Sequence, residues 1–154
     1  MELRSTLPLF LSLLLLGLHA RGQTLNSDIL TADKAEKKLV HAVLAKDKDS
    51  EPTAIFSSDT PKISAFWKGK GLQLGDRLHA VWIAEDLGME DRRDSKIMEA
   101  RVRAYKPDDD GAFSLARPKE GWPLGKYRFE LYVEDKLTET LKFTIESNPV
   151  AEAH

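Results

Sequence analysis

From Tyr127 to Val133 the apolar side chains fall on every second residue (Tyr127, Phe129, Leu131, Val133), with Lys126, Arg128, Glu130 and Glu134 on the alternate positions. That is the period of a strand with one buried face. After a turn near Asp135 the alternation resumes at Leu137, Leu141, Phe143 and Ile145, so this stretch predicts two neighbouring antiparallel strands. Further strands are predicted upstream at Thr53 to Phe56, Lys62 to Lys68, Arg77 to Glu85, Ile97 to Tyr105 and Ala112 to Arg117. The gaps between them hold most of the glycines and prolines of the chain beyond residue 22, residues that turns require and strands avoid. Short strands at regular spacing separated by such turns predict an all-β sandwich.

The remaining segments are patterned differently. Gln23 to Lys38 is polar without a period of two and reads as a loose or weakly helical leader, while Ala32 to Ala45 is rich in helix formers. Leu39 to Ala45 therefore reads either as the continuation of a helix or as a first strand. Ser147 to His154 is polar and reads as a disordered tail. The expected organisation is a signal peptide at 1–22, a polar leader at 23–37, a β-sandwich of about seven strands at 38–146 and a tail at 147–154.

The amino terminus carries a positive charge at Arg4, an apolar run from Leu7 to Leu18, and Ala20-Arg21-Gly22 as a cleavage pattern. Removal after Gly22 is expected. The run is about 12 residues, against about 20 for a bilayer-spanning helix, and no second apolar run follows, so no membrane span is expected in the mature chain. The chain has no cysteine, which excludes a lipidated cysteine and a disulfide framework. Stability must then come from packing, and an exported cysteine-free domain points to a bacterial periplasmic or extracellular protein.

Trp122, Pro123, Gly125 and Tyr127 form a WPxGxY string at the mouth of the strongest strand. Pro123 restricts φ and Gly125 permits a positive φ, so the chain can turn sharply and bury the Tyr127 ring with its hydroxyl bonded back to upstream backbone. On these residues, with FSSDTPKISAFWKGKGLQLGDRLHAVW leading to Trp82 and GWPLGKYRFELYVEDKL followed by FTIE at the end, the chain resembles bacterial exported immunoglobulin-like or fibronectin-III-like β-sandwich domains. The likeness covers roughly Lys38 to Glu146. It implies a strand at Leu39 to Ala45 and a binding or spacer role without catalytic residues. Trp82, which shares its strand face with Leu78, Ala80 and Ala84, is expected in the core with Tyr127, Phe129 and Phe143.

Candidate chemistry is sparse. The formal net charge of −2, from 23 Lys and Arg against 25 Asp and Glu, supplies no drive toward nucleic acid. Asp108-Asp109-Asp110-Gly111 is the densest set of oxygen ligands, but an EF-hand frame would put Lys106 first and Arg117 at the bidentate position, so a hairpin turn accounts for it better than calcium does. His41, His79 and His154 lack zinc spacing. Ser57, Ser58, Ser64 and Ser114 sit in no GxSxG elbow, and the glycine-rich GKGLQLG from Gly69 to Gly75 is no phosphate-binding motif. No cofactor and no metal are expected.

If Trp82 faces inward, Val81 and Ile83 face outward, and Tyr132 does the same on the penultimate strand. These three, joined by Phe66 if its strand lies nearby, form the expected partner face, for a protein partner or a second copy. The resulting expectation is a non-catalytic binding or envelope accessory module. A small-molecule or peptide carrier, or an inhibitor presenting the loop Asp86 to Lys96, is the alternative.

Overall fold

The computed structural model describes residues 37–89 and 93–148. The expected signal peptide, nearly all of the expected leader, part of the loop between Asp86 and Lys96, and the last six residues of the chain lie outside the described residues.

Eight strands follow one another: β1 (Leu39–Ala45), β2 (Ile55–Ser57), β3 (Lys62–Lys70), β4 (Arg77–Asp86), β5 (Ser95–Arg103), β6 (Asp110–Ala116), β7 (Gly125–Val133) and β8 (Lys136–Glu146). They form a three-stranded sheet in the order β1-β3-β6 and a five-stranded sheet in the order β2-β8-β7-β4-β5. All pairs are antiparallel except β2 with β8. This is the order of an immunoglobulin-like sandwich whose first strand divides between the two sheets. The expected count of about seven becomes eight because Leu39–Ala45 is a strand, in which buried Val40, Ala42 and Leu44 alternate with the more exposed Leu39, His41 and Val43.

The short second strand starts two residues later than its composition suggests. Thr53 is committed elsewhere: its N–H donates to the Leu44 carbonyl at 2.9 Å and its Oγ1 accepts from the Ile55 N–H at 3.1 Å. Asn148, within the segment expected as a tail, donates from Nδ2 to Asp59 Oδ2 at 2.7 Å.

The core lies between the sheets and is centred on Trp82, which is fully buried. Its ring centroid is 4.7 Å from Phe129 and 6.0 Å from Phe143. Phe129 stands two residues after Tyr127, where antibody domains place the second cysteine of the inter-sheet disulfide. Aromatic packing replaces that crosslink here. The bridge between sheets is Phe113 of β6, 6.3 Å from Phe129 of β7 and 6.4 Å from Trp67 of β3.

Candidate functional site

The corner preceding β7 organises one end of the sandwich. Gly121 adopts a φ of +86° and its N–H donates to the Pro118 carbonyl at 3.0 Å, closing the turn that delivers Trp122. Trp122 Nε1 donates to the Thr60 carbonyl at 2.6 Å, tying the corner to the loop between β2 and β3. Tyr127 Oη donates to the Pro123 carbonyl at 2.6 Å and the Tyr127 ring stacks on Phe143 at 5.2 Å, which completes a tyrosine corner. Burial pushes the Tyr127 phenol up to about 12. At Gly125, φ is +143°, and a Cβ would stand 2.4 Å from the Asp86 carbonyl oxygen. The end of β4 thus runs directly against the start of β7.

Beside that approach lies a partly open cavity of about 200 Å3, between the corner and the ends of β4 and β5. Its walls are Leu87 after β4, Ile97 of β5, Pro118, Trp122 and Pro123 of the corner, and the Tyr127 ring; Ser95 supplies a polar group. Ile97 is 43% exposed at this end, and Met89 and Leu124, chain neighbours of the two loops that form the wall, are 52% and 51% exposed. The cavity falls below the roughly 300 Å3 at which pockets for drug-sized ligands begin, and is comparable with the ~150 Å3 apolar cavities that admit a single benzene. It suits one apolar side chain. Larger depressions, such as one of about 550 Å3 by Lys38, Glu134 and Lys136, are edged by charged residues.

The face expected from the sequence differs in two respects. β4 and β7 are neighbours, and Val81 and Ile83 do lie on the side opposite Trp82, yet they are only 9% and 7% exposed. Their cross-strand partners are long charged residues: Glu99 and Glu130 flank Val81, and Lys96 and Arg128 flank Ile83. The aliphatic stems of such side chains cover apolar surface while their heads reach water. Phe66 belongs to the other sheet, between Val43 and Ala112, because β3 pairs with β1 and β6. It is half-buried there and cannot join the other residues.

Above Val81 and Ile83 the charged heads are linked to one another. Glu130 accepts from Arg128 Nε at 2.8 Å and from Tyr132 Oη at 2.7 Å, and Arg128 also pairs with Asp94. Burial raises the Glu130 carboxyl, but the hydrogen bonds from Tyr132 and Arg128 outweigh it and leave the pKa lowered. Glu99 accepts from Lys96 and from Arg101, each at 3.1 Å, and these bonds hold its carboxyl down at about 2. His79 stacks obliquely on Tyr132 at 5.6 Å, with Nε2 3.4 Å from Glu99 Oε2.

The remaining candidates serve local structure. Asp109 accepts from the N–H groups of Tyr105 and Asp110 at 2.8 and 3.0 Å, the work of a turn residue. Ser57 donates to Asp59, and Ser64 pairs with Ser114 at 2.8 Å. His41 meets Glu139 at 3.1 Å on the surface. Among the described residues no group of three or more His, Cys, Asp or Glu is placed to hold a metal, and no helix is long and apolar enough to cross a membrane.

Neither a family model nor a curated protein sequence matches the chain. Among solved structures it is similar to an immunoglobulin-like protein from Pseudomonas aeruginosa, at 16% identity and a TM-score of 0.45, covering 71% of this chain and 91% of that one. It is also similar to parts of an alkylpurine DNA glycosylase from Pseudomonas fluorescens and a β-glucosidase from Listeria innocua. Each of these is 6% identical with a TM-score of 0.46, over 71% and 72% of this chain but only 30% and 16% of those chains.

Proposed function

We propose that this protein is an exported, non-catalytic module that binds a protein partner by taking one protruding apolar side chain into the cavity beside the tyrosine corner. The observation that carries this reading is the cavity itself, walled by Leu87, Ile97, Pro118, Trp122, Pro123 and Tyr127 at the open end of the sandwich. Its size argues for a single side chain over a carried small molecule. The rigid corner holds the cavity open without a ligand, which reduces the ordering cost of binding. Export rests on the Leu7 to Leu18 run and the Ala20-Arg21-Gly22 pattern, and the site of action is the bacterial periplasm or the exterior.

Affinity capture from an envelope fraction tests this, with Ser95→Phe as the comparison, since the new ring fills the cavity from its rim. A reproducible partner retained by the parent protein and lost by a folded Ser95→Phe variant is expected. Equal capture by both removes the cavity from the mechanism, and a melting temperature raised by a small molecule would favour a carrier instead.

A further inference from the structure

Among the described residues β5 ends the five-stranded sheet and pairs only with β4. A long edge strand presents unpaired N–H and C=O groups, and proteins commonly guard such an edge with charged side chains, proline, a bulge or an inward-pointing charge. Over its nine residues β5 has no proline. Its bulge lies near the start, where Ile97 is passed over between the pairs Ile83 with Lys96 and Trp82 with Met98. From Met98 to Arg103 the register with β4 is unbroken. In that stretch the inward side chains are Met98, Ala100 and Val102, all without charge, and Val102 is 38% exposed. Glu99, Arg101 and Arg103 occupy the outer face. From Met98 to Arg103 the edge is thus regular and its inner side is without charge, while its charges lie on the outer face.

Its sequence is also complementary to itself in one register. In an antiparallel pair related by a two-fold axis, opposite residues share a face, so their numbers sum to an even value. With Ala100 opposite Ala100, Glu99 faces Arg101 of the second copy twice on the outer face, and Met98 faces Val102 twice on the inner face. Shifting by one pair puts Glu99 against Glu99 on one side; on the other it puts Arg101 against Arg101, between two pairs of Glu99 with Arg103. Opposite charges across a strand pair stabilise it and like charges oppose it, so the register centred on Ala100 is favoured over both neighbours.

We infer that this chain pairs with a second copy of itself through β5, antiparallel and centred on Ala100, joining the two five-stranded sheets into one. The interface adjoins the corner cavity, because Ile97, which lines it, would stand opposite Arg103 of the second copy, whereas Trp122 and Pro123 belong to another segment.

Sedimentation equilibrium on the protein recovered after export reads the association. The parent chain is expected to show a monomer–dimer equilibrium. Arg101→Glu alone, which sets carboxylates against each other, is expected to weaken it at least tenfold, and so is Glu99→Arg alone. The double exchange Glu99→Arg with Arg101→Glu restores opposite pairs and is expected to restore the dimer. Because the chain has no cysteine, Ala100→Cys gives an independent readout: oxidation should yield a covalent dimer, whereas Val102→Cys, four positions from its symmetry mate and about 13 Å away at 3.3 Å per residue, should not. Circular dichroism confirms the fold of each variant. A parent chain that stays monomeric at high micromolar concentration, failure of the double exchange to restore association, or crosslinking at Val102→Cys in place of Ala100→Cys overturns the inference.

Discussion

Replacing Gly125 by Ala should be among the most damaging single-methyl additions available in this domain. Two costs combine. The backbone at φ +143° lies in a region that residues with a Cβ scarcely occupy, worth about 1 to 3 kcal/mol. The added carbon would also stand 2.4 Å from the Asp86 carbonyl oxygen and 3.0 Å from Leu87 Cα, both backbone atoms that no rotamer change can move aside. To make room, the end of β4 must part from the start of β7, where the pairing is already irregular between Ala84 and Asp86. Loss of one or two ladder hydrogen bonds adds about 1 kcal/mol each. Against this, the stiffer unfolded chain returns about 0.4 to 1 kcal/mol. The net expectation is a loss of about 2 to 4 kcal/mol, a large share of the roughly 5 to 15 kcal/mol that holds a domain folded.

Gly121→Ala is the control. Gly121 also has a positive φ, +86°, but an added Cβ meets nothing within 4 Å, so only conformational strain offset by the unfolded-state gain remains, about 1 kcal/mol or less. Urea denaturation followed by tryptophan fluorescence measures both, with an unchanged slope confirming that two-state unfolding is retained. A Gly125→Ala loss no larger than that of Gly121→Ala would refute the reasoning, because it would mean that β4 and β7 do not approach as described.

Tyr127→Phe should cost about 1 kcal/mol at neutral pH for the bond to the Pro123 carbonyl, read by the same urea titration. With the folded phenol raised from 10 to about 12, the stabilisation of the neutral form is complete below pH 10 and is lost as pH rises from 10 to 12; the Phe variant should show a shallower alkaline decline over that window. Trp82→Ala, at a fully buried position between Phe129 and Phe143, should cost about 3 to 5 kcal/mol as a core cavity, and a neutral result would mean the strand is out of register. Glu99, held at about 2 by Lys96 and Arg101, contributes stability above its ordinary value of 4.5 that disappears as pH falls from 4.5 through 2, so Glu99→Gln should flatten the acid limb of the stability profile. Intact-mass measurement of the exported protein should find Gln23 at the start; a product retaining Leu7 to Leu18 would contradict the cleavage pattern.

Some of these features were legible along the chain because they depend on neighbours within a few residues. The alternation from Tyr127 to Val133 and from Leu78 to Ala84 requires one face of each strand to be buried, and Trp82, Phe129 and Leu131 are wholly inside. The WPxGxY string carries its own turn chemistry, so the Tyr127 bond to Pro123 follows from a span of five residues. Leu39 to Ala45 was balanced between helix and strand by composition. Pairing with Lys70 through Ser64 makes it a strand, and that pairing lies in no local signal.

The rest depends on which strand sits beside which. Alternation states that Phe66 and Val81 each face away from the core, but it is identical for both sheets of a sandwich, and only hydrogen-bond pairing placed β3 in one and β4 in the other. Outward-facing Val81 and Ile83 promised an apolar patch. Their burial beneath Glu99, Glu130, Lys96 and Arg128 arises from side chains distant in sequence, brought alongside by β5 and β7. The cavity likewise draws Leu87, Ile97, Pro118 and Trp122 from three separate segments, each a turn or strand end where periodicity carries no information. Periodicity along one chain thus determined the faces and the corner of this protein, whereas strand adjacency, a property of long-range pairing, decided which faces are covered, which strand ends the described sheet and where the cavity forms.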